Sequence, residues 1–158
     1  NVWLHICDIG KIEQNNYLKI TDRKKDIIVN AGGDNISPSR IEAKLDIEPE
    51  IMQSMLYGDF KNYLVAILVP NKDLALEWAK DNNVEGDLNK IIKDSSFNKK
   101  MKDVVDKVNK SLSAIEQVRK FILVDHEFTI ENNMMTPSMK VRRFKVKEMY
   151  ADKLDNLY

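Results

Sequence analysis

The sequence predicts a small α+β domain in which a central antiparallel or mixed sheet is flanked by helices and preceded by a β-hairpin. Two apolar, β-branched stretches at residues 51–57 and 63–69 flank a polar turn and have the length of paired central strands. Downstream, apolar residues recur with the spacing of one helix face, at Met101, Val104, Val105, Val108, Leu112 and Ile115. The 158 residues, 43% of them hydrophobic, are enough for one compact core.

The residues before these strands predict a hairpin, a short strand, a glycine loop and a helix, in that order. Polar and apolar residues alternate between positions 11 and 20, with a polar turn in the middle. A β-rich run at 26–29 stops near Gly32 and Gly33, which permit positive φ angles and the close approach of another molecule to the backbone. A serine suited to N-capping and a proline suited to the first helical position then start a predicted helix at 38–45.

The rest of the chain predicts further helices and one more strand. The apolar spacing after Pro70 indicates a helix, and the long amphipathic helix is expected to reach Ile115. Residues 121–124 predict the last strand, which a polar loop and a charged helix ending at Tyr158 follow. The sequence shows no internal repeat and no low-complexity tract, so it does not support a repeat architecture.

Charge and cysteine content narrow the classes of function. Twenty-five Lys and Arg balance 25 Asp and Glu, so the chain lacks the global field that holds a protein on nucleic acid or an anionic membrane. A single cysteine, Cys7, excludes an internal disulfide framework and a multi-cysteine zinc site, and it fits a reducing compartment such as the cytoplasm. No apolar run reaches the roughly 18 residues of a membrane span, and no leader is recognisable. Residues 1–4 begin in mid-pattern, so we expect a fragment.

Lys140 is the first candidate for chemistry. A lysine on a loop before a helix can enter a neighbouring active site, where its ammonium stabilises charge on a carboxylate or phosphoryl oxygen. On composition alone, such a lysine is more often a solvated surface residue. Five of the eight residues at 140–147 are basic, which leaves RNA and the phosphates of a cofactor as partners. The zero net charge favours the smaller partner.

Three further candidates lie nearer the start of the chain. Arg23 can make forked contacts with a phosphate or ribose, or it is a solvated turn residue. Asp8 can accept hydrogen bonds from sugar hydroxyls, or it caps a turn. Its neighbours His5 and Cys7 match no usual zinc spacing, so no metal site is predicted. The Gly32-Gly33 loop lacks the spacing and the Lys-Ser/Thr pair of a phosphate loop.

Three segments, taken in order, match the segments of one enzyme superfamily. Residues 3–10 match a segment ending in Thr-Gly-Asp-Ile-Gly, with Ile6-Cys7 in place of Thr-Gly. Residues 22–42 match the segment that joins a large domain to a small one and continues into a helix. Residues 136–143 match a C-terminal lysine motif, with Met139 where many relatives have glycine. Together they resemble the adenylate-forming superfamily of acyl-CoA synthetases, luciferases and peptide-synthetase adenylation domains.

The resemblance implies a role for each candidate residue. Asp8 would bind the ribose hydroxyls of ATP, and Arg23 would hold ribose or phosphate. Lys140 would be the lysine that adenylation requires. Gly32 and Gly33 would lie on the face presented to coenzyme A, where the absence of side chains lets the pantetheine arm pass close to the backbone.

The resemblance also implies a division of the chain and a reaction. Residues 1–22 would end a larger N-terminal adenylation domain, residues 23–158 would form a C-terminal cap domain, and Lys25 would be the hinge between them. Met139 and the ending at 150–158 resemble the long-chain fatty acyl branch. Such an enzyme uses ATP and Mg²⁺ to convert a fatty acid into an acyl-adenylate, from which coenzyme A then displaces AMP.

The partners that follow are a fatty acid, ATP, coenzyme A and the chain's own N-terminal domain, without nucleic acid. Peripheral association of the intact protein with a membrane stays open. Two alternatives stay open as well: a ligase for aryl, short-chain or carrier-linked acyl groups, and a non-catalytic module that binds RNA or another anion. We expect the chain alone to be inactive, because it carries no Gly/Ser/Thr-rich phosphate loop and is too short for a fatty acid tunnel.

Overall fold

Seven strands and five helices form the part of the chain that the computed structural model describes, residues 8–13, 16–23 and 26–158. The strands are β1 (Asp8–Ile12), β2 (Leu18–Arg23), β3 (Ile28–Val29), β4 (Asn35–Ile36), β5 (Ile51–Tyr57), β6 (Leu64–Pro70) and β7 (Val118–Leu123). The helices are α1 (Pro38–Leu45), α2 (Lys72–Asp81), α3 (Leu88–Ile91), α4 (Ser95–Asn109) and α5 (Arg143–Asp155). This mixture of elements confirms the predicted α+β class.

A three-stranded sheet in the order β5–β6–β7 forms the centre of the fold. β5 and β6 pair antiparallel, as predicted, with Met55 opposite Ile67. β7 pairs parallel to β6, with Ile122 opposite Ile67, so the sheet is mixed. The β1–β2 and β3–β4 pairs are antiparallel hairpins that precede this sheet in the chain. Every residue of β6 is buried, as expected for a central strand that is covered on both faces.

Alternate residues of β6 divide the apolar core between the two faces of the sheet. The residues that pack with α1, α2, α3 and α4 are Leu64, Ala66 and Leu68. The residues that pack with α5 and with the loop before it are Val65, Ile67 and Val69. The domain is therefore a three-layer structure, in which one face of the sheet carries four helices and the other carries α5 and the loop that leads into it.

Helix α4 confirms the predicted amphipathic helix but ends earlier than predicted. The carboxylate of Asp94 caps its first turn by accepting two backbone hydrogen bonds, at 2.8 and 3.0 Å. The helix stops at Asn109, not at Ile115, because the Asn109 side chain pairs with both backbone groups of Val118 at 2.9 Å. This pairing joins the end of α4 to the start of β7. Ile115 lies in the connecting turn and is 48% exposed.

Other boundaries agree with the prediction to within a few residues. α1 has the predicted bounds, and Ser37 occupies its N-cap position, although its side chain makes no capping hydrogen bond. β3 is shorter than the predicted run at 26–29, and β7 begins at Val118 instead of residue 121. Helix α3, which has four residues, was not predicted.

Candidate functional site

Lys140 lies at the end of a tight turn that begins at Thr136. The Thr136 N–H donates to the Lys140 carbonyl at 2.8 Å, and the Lys140 N–H donates to the Thr136 hydroxyl at 3.1 Å. A third bond runs from the Met139 N–H to the Thr136 carbonyl at 2.9 Å. Met135 and Val141 form an antiparallel bridge at the base of the turn. The turn therefore fixes the backbone of Lys140 while the residue itself stays exposed.

Met139, directly before this lysine, has a left-handed backbone with φ of 60°. Residues other than glycine adopt this conformation at a cost of about 1 kcal/mol or more. The turn therefore needs a conformation that glycine takes without strain.

The turn forms one wall of a groove of about 600 Å³. The other walls come from the start of β3, the end of β5 and the first turn of α5. The basic residues that line the groove are Lys140, Arg142, Arg143 and Lys147. The acidic ones are Asp26 and Asp59, of which Asp59 accepts a hydrogen bond from the Val29 N–H at 3.2 Å. Cations therefore outnumber carboxylates in the groove, and the N-terminus of α5 adds positive potential at the same end.

The Lys140 ammonium is available to a partner from outside the domain. Within residues 8–13, 16–23 and 26–158, it makes no hydrogen bond and no ion pair. Lys147, by contrast, lies 4.7 Å from the centre of the Tyr57 ring. A free ammonium on a fixed backbone can bind a phosphate or carboxylate that approaches from solvent.

Arg143, the first residue of α5, is bound to a buried carboxylate. Its two terminal nitrogens donate to the two oxygens of Glu42, at 2.6 and 2.5 Å. Glu42 belongs to α1, is 8% exposed, and also accepts a hydrogen bond from the Leu56 N–H of β5 at 2.7 Å. One carboxylate thus links α1, the edge strand β5 and the start of α5.

A second acid, Asp46 at the C-cap of α1, binds the same edge strand one helical turn later. The Ser54 hydroxyl donates to Asp46 at 2.7 Å, and the Ser54 backbone contributes another hydrogen bond. Burial of the carboxyl raises the pKa of Asp46 from 3.8 to about 6, and the nearby Glu42 carboxylate adds to the shift. The Ser54 hydrogen bonds oppose it. Glu42 of α1 and the C-cap residue Asp46 therefore place two carboxyl groups along the edge of β5 that does not pair with β6.

The glycine loop connects β3 to β4. Gly33 has φ of 84°, and a Cβ built there would meet nothing within 4 Å, so its face is open to an approaching molecule. The Asn30 side chain holds the loop by accepting from the Asp34 N–H at 2.9 Å. The Ala31 N–H donates to the Lys61 carbonyl at 3.0 Å and so ties the loop to the β5–β6 turn. Gly32 and Gly33 are both exposed and do not line the groove beside Lys140.

Two candidates of the N-terminal hairpin are brought together by its register. Asp8 of β1 and Arg23 of β2 are Cα partners at one end of the antiparallel pair. Lys25, the predicted hinge, lies outside the described residues, as do His5 and Cys7. The described ranges contain no group of three His, Cys, Asp or Glu side chains that could hold a metal ion. In the same ranges, no helix has the length and apolar character needed to cross a bilayer.

The sequence patterns did not identify Glu42 as a site residue, although one signal was present. The buried positions of α1 are Pro38, Ile41, Glu42 and Leu45, so an acidic residue lies in the apolar stripe of an amphipathic helix. A carboxylate at such a position requires a buried partner. The sequence could not name that partner, because Arg143 lies 101 residues away.

Comparison with known proteins identifies a family and relatives for this chain. The family model of the AMP-binding enzyme C-terminal domain matches residues 25–158. Long-chain-fatty-acid–CoA ligase 1 of Cavia porcellus is 32% identical over 159 residues, which cover 99% of this chain and 23% of the relative. The long-chain-fatty-acid–CoA ligase FadD15 of Mycobacterium tuberculosis is 30% identical, with 99% of this chain and 26% of the relative covered. The chain thus spans about a quarter of the length of these curated relatives.

Solved structures agree with the sequence relatives. The adenylation domain of a carboxylate reductase from Mycobacterium chelonae superimposes with a TM-score of 0.82 at 28% identity, covering 97% of this chain and 22% of that one. The A domain of a carboxylic acid reductase from Segniliparus rugosus, in complex with AMP and a co-purified carboxylic acid, gives 0.74 at 26% identity, with 97% and 23% covered. The chain therefore belongs to the family of AMP-binding enzyme C-terminal domains.

Proposed function

We propose that this chain is the C-terminal part of a larger ligase that joins a long-chain fatty acid to coenzyme A with conversion of ATP to AMP, and that Lys140 serves the adenylation step. The observation that carries the proposal is the Lys140 ammonium, exposed beside a basic groove on a backbone that the Thr136 turn fixes. The named activity of the curated relatives supports the substrate class.

In the first half-reaction, a carboxylate oxygen of the fatty acid attacks the α-phosphorus of ATP, and pyrophosphate leaves with the electrons of the broken P–O bond. Negative charge builds up on the phosphoryl oxygens during this displacement. The Lys140 ammonium would contact these oxygens and stabilise that charge. The neighbouring groove residues Arg142 and Lys147 would raise the local concentration of the anionic substrate.

In the second half-reaction, the coenzyme A thiolate attacks the acyl carbonyl carbon, and AMP departs with the C–O bond electrons. The Gly32-Gly33 loop would face coenzyme A in this step. Support comes from the open face of Gly33 and from the absence of both glycines from the lining of the Lys140 groove, because two different surfaces of one domain can serve two steps in turn. The proposed hinge is Lys25, between residues 1–22 of the larger adenylation domain and the cap domain at 23–158.

The nucleotide would also contact the N-terminal hairpin. We assign ribose binding to Asp8 and ribose or phosphate binding to Arg23, and their pairing at one end of the hairpin supports a shared ligand. Mg²⁺ would accompany ATP. Among the described residues no cluster of acidic or imidazole groups fits a metal, so no residue of this chain is assigned to it and no step depends on one. The single cysteine of the chain supports a cytoplasmic location for the intact ligase.

The test uses the full-length protein that contains this chain and measures palmitate-dependent exchange of pyrophosphate into ATP. Lys140→Ala should lower the exchange rate by about 100-fold or more, as expected for loss of a charge that stabilises the transition state. Thioester formation from preformed palmitoyl-adenylate and coenzyme A should continue. Lys99→Ala is the matched control, because Lys99 is an exposed lysine of α4 on the opposite face of the sheet. Equal exchange rates in the Lys140 and Lys99 variants would remove Lys140 from the mechanism.

The same assay decides between acyl substrates. Exchange measured with palmitate, acetate and benzoate separately should be fastest with palmitate. Fast exchange with benzoate or acetate alone would replace the long-chain assignment by an aryl or short-chain one, without affecting the role of Lys140.

A further inference from the structure

We propose that the ion pair between Arg143 and Glu42 positions Lys140 for adenylation, a role that rests on the proposed function of Lys140. Arg143 would be a positioning residue that acts through Lys140 and does not itself touch the substrate. The pair lies at the point where the lysine turn becomes helix α5.

The turn that carries Lys140 is attached to the core through both of its limbs. Its N-terminal limb is part of the apolar core, since Met134 is 2% exposed and Met135 is 8% exposed. Its C-terminal limb is joined to the first by the Met135–Val141 bridge and by a bond from the Arg142 N–H to the Met134 carbonyl at 2.7 Å. The limb then continues directly into Arg143. The position of Arg143 therefore sets where this limb, and Lys140 with it, lies relative to the sheet.

The ion pair between Arg143 and Glu42 fixes a direction as well as a distance. Two parallel hydrogen bonds between a guanidinium and a carboxylate fix the plane of the guanidinium as well as its distance. The carboxylate is fixed in turn, because Glu42 is buried on α1 and accepts the Leu56 N–H. Arg143→Lys would keep the positive charge but lose the pair of parallel hydrogen bonds.

The cations of the groove differ in whether a carboxylate balances their charge. Arg143 is one of five basic residues at 140–147, and its charge is balanced by the Glu42 carboxylate. Lys140 has no such carboxylate within the described residues. The sequence thus contains one cation for anchoring and another for chemistry, three residues apart. Displacement of a catalytic group by about 1 Å can reduce a rate by about 100-fold, so loosening the anchor should be visible in the kinetics.

The kinetic experiment uses the full-length protein and the variant Arg143→Lys. The kcat of pyrophosphate exchange should fall by about tenfold to 100-fold, while the KM for ATP changes by less than about threefold. Thioester formation from preformed palmitoyl-adenylate should keep its wild-type rate. The matched control is Arg40→Lys, because Arg40 forms an ion pair with Glu116 and does not line the groove. Glu42→Gln, which keeps the shape of the anchor but removes its charge, provides a second measurement should Arg143→Lys fold poorly.

The double variant Lys140→Ala/Arg143→Lys separates positioning from general stability. If Arg143 acts through Lys140, the double variant should exchange pyrophosphate no more slowly than Lys140→Ala alone. Multiplied losses in the double variant, or parallel losses in both half-reactions, would overturn the inference.

Hydrogen exchange measured by mass spectrometry tests the anchor without reference to activity. Amides at residues 134–142 should exchange faster in Arg143→Lys, whereas those of α4 should not change. Unchanged exchange at 134–142 would overturn the inference even if Lys140 is essential for adenylation. Faster exchange combined with full activity of Lys140→Ala would instead overturn the proposed function, and with it the catalytic consequence of the anchor.

Discussion

Replacing Glu42 with alanine should destabilise the domain more than loss of any exposed ion pair. The variant removes three hydrogen bonds, two from Arg143 and one from the Leu56 N–H. Breaking a buried ion pair by deleting one partner costs about 3–5 kcal/mol. The Arg143 side chain is 23% exposed, so water can replace part of what it loses. We therefore expect the free energy of unfolding to fall by about 3 kcal/mol, the lower end of that range.

Urea unfolding followed by far-UV circular dichroism measures this change. With a slope of about 2 kcal/mol per molar urea, a loss of about 3 kcal/mol lowers the unfolding midpoint by about 1.5 M. Lys102→Ala is the control, because Lys102 forms an exposed pair with Asp106 at 3.2 Å on the surface of α4. Its loss should change the free energy of unfolding by less than about 0.5 kcal/mol.

The reasoning would be refuted by a Glu42→Ala midpoint that matches that of Lys102→Ala. Such a result would mean that solvent replaces the three hydrogen bonds without cost. The double variant Glu42→Met/Arg143→Met gives the complementary check. Because it removes both charges together, it should recover most of the stability that Glu42→Ala loses.

Three further predictions concern other contacts. The pKa of Asp46 is raised from its ordinary value of 3.8 to about 6 in the folded chain, so the folded state holds a proton that the unfolded state releases. The contribution of Asp46 to the free energy of unfolding should therefore fall as the pH rises from about 4 to about 6. Asp46→Asn should flatten that part of the pH profile, and an unchanged profile would contradict the shift. Gln53→Met removes the bonds between the Gln53 side chain and both backbone groups of Phe128, so it should lower the free energy of unfolding by about 2 kcal/mol in urea titrations. Met139→Val places a β-branched residue at positive φ, so it should lower the free energy of unfolding by about 1 kcal/mol or more. Met139→Gly should not lower it. Equal urea midpoints for the two variants would show that the turn is not strained.

The elements that the sequence predicted well are those whose periodicity is set by burial. β5 and β6 lie within one residue of their predicted bounds because their apolar residues face a core. Strand β7 was predicted to start three residues too late, because Arg119 and Lys120 are exposed and conceal its beginning. The parallel pairing of β7 with β6 depends on a connection through three helices, which local patterns do not specify.

The error at the end of α4 has a related cause. The apolar spacing continues through Leu112, which lies after the end of the helix but is still buried. The spacing therefore predicts correctly which residues are buried, but not where the helix ends. Termination depends on the amide of Asn109 finding the backbone of Val118, a contact that spacing cannot show. In the candidate site, the position of Lys140 in a turn followed from local residues. Its anchor depends on a contact between α1 and α5, which lie in the two outer layers of the fold.

The contact between α1 and β5 has a geometric consequence for how a helix can cover a sheet edge. Four residues of helix advance about 6 Å, and two residues of strand advance about 6.6 Å, so Glu42 and Asp46 fall almost opposite Leu56 and Ser54. Four residues also turn the helix by about 40° beyond a full revolution, so a third acid would point away from the strand. Two carboxyl groups are therefore the most that one straight helix can place along such an edge. The eight-residue helix and its C-cap residue supply both of them, and lengthening the helix would add none.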